Sequence, residues 1–252
     1  MAFCDITFFS NVLAKQTSLY VILPDKGKPP FAVFYLLHGM SDDHTIWHRR
    51  TRVEWYVRDM PLIVVMPDGY RGFYTDNDED PAYATHFAEE LPAFIERNFP
   101  AKATRAGRCV GGLSMGGYGA MRLALGYPDR YVSANSHSGA LLRGSELRGG
   151  PREAEFARVF GKNPSGSEHD LEALVARRLK QKKPLPKLRI DCGVDDGLIT
   201  HNRRFHAFLD EQKVAHEYAE FPGGHTWDYW DEHVREALAF HVKALKIPAI
   251  RS

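Results

Sequence analysis

Apolar residues along this chain fall into short runs, separated by longer stretches in which they recur every three or four positions. Runs at residues 6–9, 19–23, 33–37, 62–66, 108–113, 131–136, 188–192 and 216–221 predict strands. Several are unbroken stretches of Val, Ile, Leu, Phe and Tyr, the pattern of parallel strands buried on both faces. Between them, Tyr83, Phe87, Leu91, Phe94 and Ile95 repeat at helical spacing, as do Met121, Leu123 and Leu125, and then Phe205, Phe208 and Leu209. A last helix is predicted from about Tyr229 to Leu245. Strands alternating with helices predict an α/β fold, a doubly wound, mostly parallel sheet of eight strands flanked by helices. The first two or three strands are expected to form an antiparallel edge.

One segment breaks the rhythm. Residues 141–186 are charged and glycine-rich, with a helix expected at 170–180 and a basic run at 177–183. The expectation is a small cap inserted over the C-terminal edge of the sheet, within a single domain spanning residues 1–252. The basic run reads as a solvated helix end.

Composition narrows the picture. At 252 residues, 44% hydrophobic and 26% charged, the chain can bury a sizeable core. A formal net charge of +1 argues against nucleic acid or an anionic membrane as partner. No apolar run approaches the roughly 20 residues that span a bilayer. The N-terminal residues lack a basic region, so no signal peptide is read and a cytoplasmic location is the default. Homo-oligomerisation is compatible with all of this. Cys4, Cys109 and Cys192 cannot all pair, and the last two sit in apolar runs as buried thiols would.

Candidate chemistry starts at Gly112-Leu113-Ser114-Met115-Gly116, a G-x-S-x-G pattern between a predicted strand and a predicted helix. That context is the one a nucleophile elbow requires. Alone the pattern is weak, because a glycine-rich turn can match it by chance. A serine nucleophile needs a base, and the base needs an orienting acid. Of twelve histidines, His225 follows the last predicted strand, on the side where an elbow serine emerges. His137, after another strand, is its competitor. His233 and His241 read as surface residues of the last helix. Asp195-Asp196-Gly197 follows the strand at 188–192 and supplies the acid. The order Ser, Asp, His is that of α/β-hydrolases. An oxyanion hole needs two backbone donors: Met115, and Met40 in the loop His38-Gly39-Met40-Ser41 after the strand at 33–37, with Gly39 allowing close approach.

Five blocks then carry a family resemblance: YLLHGMSDDHTIW at 35–47, PDGYRGFYTD at 67–76, GGLSMGGYGAM at 111–121, CGVDDGL at 192–198 and GGHTWDYW at 223–230. Together they resemble the tributyrin-esterase branch of the esterase-D-like family, which also holds S-formylglutathione hydrolases and feruloyl and acetyl-xylan esterases. The resemblance spans nearly the whole chain. It implies an α/β-hydrolase fold, no cofactor, and hydrolysis of small acyl esters. It also selects Asp196 over Asp195 as the acid. Substrate contacts are expected at Gly39, Tyr74, Trp47 and Trp227, with the loop 69–74 and Trp230 walling the site; for each of these aromatics ordinary core packing is the alternative.

The expected activity is therefore that of a serine carboxylesterase. S-formylglutathione thioester hydrolysis, feruloyl or acetyl-xylan ester hydrolysis, and acyl transfer to a sugar remain as alternatives. A binding protein that kept the fold is the non-catalytic rival. No metal site is expected: His44 and His48 are four apart but lack the Glu of H-E-x-x-H, and His201 and His206 have no better claim.

Overall fold

The computed structural model describes residues 1–76, 79, 81–148 and 151–247. Positions 149 and 150 of the insertion and the last five residues lie outside them. The strands are β1 (Ala2–Ser10), β2 (Lys15–Leu23), β3 (Ala32–Leu37), β4 (Leu62–Pro67), β5 (Arg108–Leu113), β6 (Ser133–His137), β7 (Lys187–Gly193) and β8 (His216–Phe221). They form one eight-stranded sheet in the order β1-β2-β4-β3-β5-β6-β7-β8. β1 pairs with β2, and β2 with β4, antiparallel; every other neighbour pair is parallel. The antiparallel edge expected from the sequence is thus β1 and β2.

Strand alternation sends successive side chains to opposite faces. On β3, Val33, Tyr35 and Leu37 join one apolar cluster while Ala32, Phe34 and Leu36 join the other. The first face carries α3 (Tyr83–Thr85), a wide π turn at His86–Glu90, α4 (Leu91–Asn98), α5 (Met115–Gly126), α6 (Glu153–Phe160), α7 (Leu171–Lys180) and α8 (Ile199–Glu211). The second is covered by α1 (Ile46–Arg50), α2 (Val53–Val57) and α9 (Trp227–Leu245). Both central faces are closed, as the continuous apolar strands require.

The insertion stays close to the sheet. α7 packs on α5, and its basic end is mostly exposed. Arg178 is the exception, donating to the Leu125 and Gly126 carbonyls at 2.7 and 2.5 Å. Those carbonyls end α5, where a helix leaves acceptors unpaired and welcomes a cation.

His233 and His241 correct the sequence reading, since both are buried rather than at the surface. The reason lies across the interface. β6 presents Ser133 and Asn135 to α9, so the helix must answer with polar groups. His241 Nε2–H donates to Asn135 Oδ1, and its Nδ1 takes the Ser133 hydroxyl, both at 2.8 Å. His233 stacks on Phe221 at 4.1 Å.

Candidate active site

Ser114 lies between β5 and α5 with φ +53° and ψ −115°, a strained backbone for a residue with a side chain. Its surroundings over-determine that strain. The Ser114 amide donates to the His137 carbonyl at 2.9 Å, and its own carbonyl accepts from Tyr118 and Ala140 at 3.1 and 3.0 Å. The flanking glycines are there for close approach. A Cβ on Gly112 would stand 2.6 Å from the Leu37 carbonyl oxygen, and one on Gly116 would stand 2.5 Å from it. The turn is therefore pressed against the end of β3, with no room for a methyl group.

The loops after β7 and β8 meet Ser114 from the other side. His225 Nε2 lies 3.0 Å from Ser114 Oγ, and His225 Nδ1 lies 2.8 Å from Asp196 Oδ2. An ionised carboxylate can only accept, so Nδ1 carries the proton and Nε2 offers its lone pair to the serine hydroxyl. Asp196 is 2% exposed. Burial by itself raises its carboxyl, but hydrogen bonds from His225 and the Leu198 amide outweigh it and hold the carboxyl below its ordinary range. Ser138 adds a smaller contribution, though its hydroxyl makes no close hydrogen bond. The carboxylate is thus kept charged beside the imidazole. Asp195 is exposed, and only its amide is used, donating to the Gly223 carbonyl at 3.0 Å. That bond and Val194 N–H to Phe221 O at 2.9 Å tie the acid and base loops together.

On the β3 side, Leu37 pairs with Gly112, so the loop beginning at His38 runs beside the elbow. Buried side chains hold it. Trp47 Nε1–H donates to Leu37 O, and the Tyr74 hydroxyl donates to His38 O, each at 2.9 Å. His38 Nε2 accepts from the Gly69 amide at 2.8 Å, leaving Nδ1–H for the Gly39 carbonyl at 2.7 Å. Among the described residues the amides of Met40 and Met115 have no hydrogen-bond acceptor. Both residues line one cleft with Ser114 and His225, of about 470 Å³. Two free N–H groups beside a nucleophile can hold the negative oxygen of a tetrahedral intermediate.

The rest of that cleft differs from expectation. Its further walls are Phe73, Ala140, Leu142, Arg152, Phe156 and Leu198. Trp47 and Tyr74, read as substrate contacts, are about 1% and 0% exposed and brace the loop after β3 instead. Gly39 is buried within that loop, and its Cβ would meet Asp42 and Leu113 atoms at 2.8 Å. Trp227 is half-buried, edge-on to Trp47 and Trp230 at 5.4 and 5.1 Å, and Trp230 lies edge-on to His225 at 4.8 Å. None of these aromatics lines the cleft. The insertion supplies Leu142, Arg152 and Phe156 in their place. Phe156, Val159 and Phe160 do show a helical spacing that would have marked α6.

His137, the rival base, is bonded to Asp191 at 2.8 Å with both side chains fully buried, away from Ser114 Oγ. His44 packs on Tyr20, and His48 bonds Glu54 at 3.0 Å, so the pair does not converge on a shared ligand position.

Residues 10–241 match the model of the Esterase family. An acetyl esterase of Caldicellulosiruptor saccharolyticus is 33% identical over 264 aligned positions, covering 96% of this chain and 99% of that one. Among solved structures, the fluorophosphonate-binding serine hydrolase F of Staphylococcus aureus superposes with a TM-score of 0.89 at 28% identity, over 96% of this chain and 98% of that one. An S-formylglutathione hydrolase of the same organism gives 0.86 at 28% identity, with the same coverage. A match of that extent, on an eight-stranded sheet that offers a serine, a histidine and a buried aspartate in hydrogen-bond contact, identifies the chain as a member of the Esterase family, a serine hydrolase of the α/β-hydrolase fold that acts on carboxylic ester bonds.

Proposed function

We propose that this chain hydrolyses short-chain acyl esters through an acyl intermediate on Ser114. The observation that carries the proposal is the continuous hydrogen-bond chain from Ser114 Oγ through both nitrogens of His225 to Asp196. As Oγ attacks the ester carbonyl carbon, its proton passes to His225 Nε2 and the carbonyl electron pair moves onto oxygen. The amides of Met40 and Met115 hold that oxygen, each donor being worth roughly 3 kcal/mol in the transition state. Collapse of the intermediate expels the alkoxide, which leaves as the alcohol with the Nε2 proton. Water then gives a proton to Nε2, attacks the acyl carbon and releases the acid, returning the proton to Ser114. Asp196 keeps the imidazole in the working tautomer and balances its charge when protonated.

The segment 141–186 acts in this reading as a cap, with α6 laying Phe156 across the acyl side. Arg71 supports it: its guanidinium bonds Glu155 of α6 at 2.6 Å. Met40, Phe73, Leu142 and Leu198 give a small apolar chamber suited to acetyl through butyryl groups. The acetyl esterase relative fits the lower end of that range. We place the activity in the cytoplasm, which three unpaired cysteines support. No helix among the described residues is long and apolar enough to cross a membrane.

A second reading, thioester hydrolysis of S-formylglutathione, is favoured by one feature. Arg152 brings an exposed cation to the cleft wall, where a substrate bearing carboxylates would meet it. A panel of p-nitrophenyl acetate, butyrate and octanoate with S-formylglutathione tests both readings. The ester reading expects the highest kcat/KM on acetate or butyrate and a steep fall at octanoate. Faster turnover of S-formylglutathione, lowered selectively in Arg152→Gln, would transfer the assignment to the thioesterase. No turnover of any of these would sink both.

A further inference from the structure

At the turn joining α8 to β8, His206, Asp210 and His216 bring one ligand atom each within 4.8 Å of one another. His206 and Asp210 are four apart on a helix, so they share a face one turn apart. His216 opens β8 and is folded back onto that face by a tight turn, in which Lys213 has φ +57° and the Val214 amide donates to Leu209 O at 2.9 Å. His216 Nδ1–H donates to the Val214 carbonyl at 2.8 Å, which leaves the lone pair on Nε2. That nitrogen faces His206 Nδ1 at 2.7 Å. The His206 ring is itself fixed, stacked on Tyr218 at 4.0 Å with 4° between planes. One Asp210 carboxylate oxygen stands 4.0 Å from His216 Nε2 and the other 3.5 Å from His206 Nε2. The His216 side chain is 2% exposed while Asp210 is 63% exposed, so the open side of the trio faces solvent.

We propose that His206 Nδ1, His216 Nε2 and one Asp210 oxygen bind a divalent transition metal, zinc foremost, with water completing the tetrahedron. Zinc–nitrogen bonds of about 2.0–2.1 Å set tetrahedral ligand nitrogens roughly 3.3 Å apart. Reaching that needs the imidazoles to separate by about half an ångström and the exposed Asp210 carboxylate to swing in by up to about 1.5 Å. The His206 Nδ1 proton leaves as the ion binds, since both imidazoles must present lone pairs. Two imidazoles and a single carboxylate suit zinc, nickel or copper and disfavour calcium and magnesium, which want all-oxygen shells. The hydrogen bond from His216 to a backbone carbonyl is the outer-shell support that metal-bound histidines normally have.

The position decides the role. β8 starts at the site and ends at Phe221, four residues before His225; α8 ends near the site and starts at Ile199, three residues after Asp196. The ion therefore lies at the opposite end of the sheet from the ester cleft, and it clamps together the two elements that carry the acid and base loops. It is a stabilising clamp and takes no part in ester hydrolysis.

The test is calorimetric titration of chelator-stripped protein with zinc chloride, beside thermal melts. Wild type is expected to bind one zinc per chain, and to gain roughly 5–10 °C in Tm when zinc is held near 100 times Kd. Calcium at the same concentration should leave Tm unchanged. His206→Asn and Asp210→Asn should each raise Kd by about tenfold or more, while metal-free turnover of p-nitrophenyl butyrate stays at the wild-type rate and certifies the fold. Identical zinc isotherms in wild type and both variants, or no saturable binding up to about 1 mM zinc, would overturn the proposal.

Discussion

Asp195 and Asp196 are adjacent carboxylates with opposite fates. The chain turns between them so that the first faces solvent and the second is buried against His225. A substitution pair separates their roles. Asp196→Asn is expected to lower kcat by about four orders of magnitude, because an amide can donate to Nδ1 and so stabilise the wrong imidazole tautomer. Asp195→Asn should leave kcat within about twofold, since only its backbone is engaged. Ser114→Ala should abolish p-nitrophenyl butyrate hydrolysis and fluorophosphonate labelling with Tm unchanged or raised, as the elbow strain is held by backbone bonds that alanine keeps. Stopped assays, labelling and melts on the three purified variants check these outcomes; undiminished turnover by Ser114→Ala would remove the proposed nucleophile.

At the scale of elements, the site is a set of strand ends held in register. β3, β5, β7 and β8 run parallel, so their C-terminal ends lie on one edge of the sheet, and each contributes one loop. In the proposed reaction the loop after β3 matters most, because there the Met40 amide has to stand within hydrogen-bonding reach of an atom present only during reaction. Trp47 is buried beneath that loop and holds the Leu37 carbonyl at its start. Trp47→Phe keeps most of the volume but leaves the Leu37 carbonyl without its indole donor, a loss worth about 1–3 kcal/mol. The expected result is a Tm lower by a few degrees and a kcat reduced more than KM is changed. A rise in KM with kcat untouched would instead make Trp47 a substrate contact. Gly116→Ala drives a Cβ to 2.5 Å from the Leu37 oxygen and 2.7 Å from that of His38. Because both are backbone atoms, the elbow or the oxyanion loop must shift, and kcat should fall at least about a hundredfold; wild-type turnover in this variant would mean the two loops are less tightly apposed than the structure has them.

At the scale of the whole molecule, the interface between the sheet and α9 is polar at its centre, where His241 bonds Ser133 and Asn135. Burial, followed by the nearby His137 and Arg189, pushes the His241 imidazole down to about 3. Its unfolded value lies near 6.5. Between these values the unfolded chain binds a proton that the folded chain refuses, so the contribution of His241 to folding stability is full above about pH 6.5 and is lost as pH falls toward 3. Melts from pH 7.5 to 4.5 should therefore show a falling Tm, with His241→Gln less stable at neutral pH but less steeply dependent on pH. An equal slope in both proteins would assign the acid sensitivity to other groups.

The α/β class, the eight strands, the antiparallel edge, Ser114 and His225 were legible along the chain, while the choice of Asp196 over Asp195 came with the family resemblance. The strands and the elbow were legible for a local reason: strands buried on both faces must be continuously apolar, and an elbow pressed on a neighbouring strand needs glycine two residues either side of its serine. Whatever depends on distance across the fold became visible with the structure. Trp47 and Tyr74 looked like substrate contacts, because an aromatic beside a site motif has the same composition whether it faces the cleft or braces the loop beneath it. The insertion was expected over the C-terminal edge of the sheet, but which of its residues reach the cleft depended on α6, which sets Phe156 there with Arg152 at its start. His241 looked exposed because the polar stripe of β6 that receives it lies more than a hundred residues away. His206 gained His216 because a tight turn folds β8 back onto α8, a return that no spacing along the chain could specify.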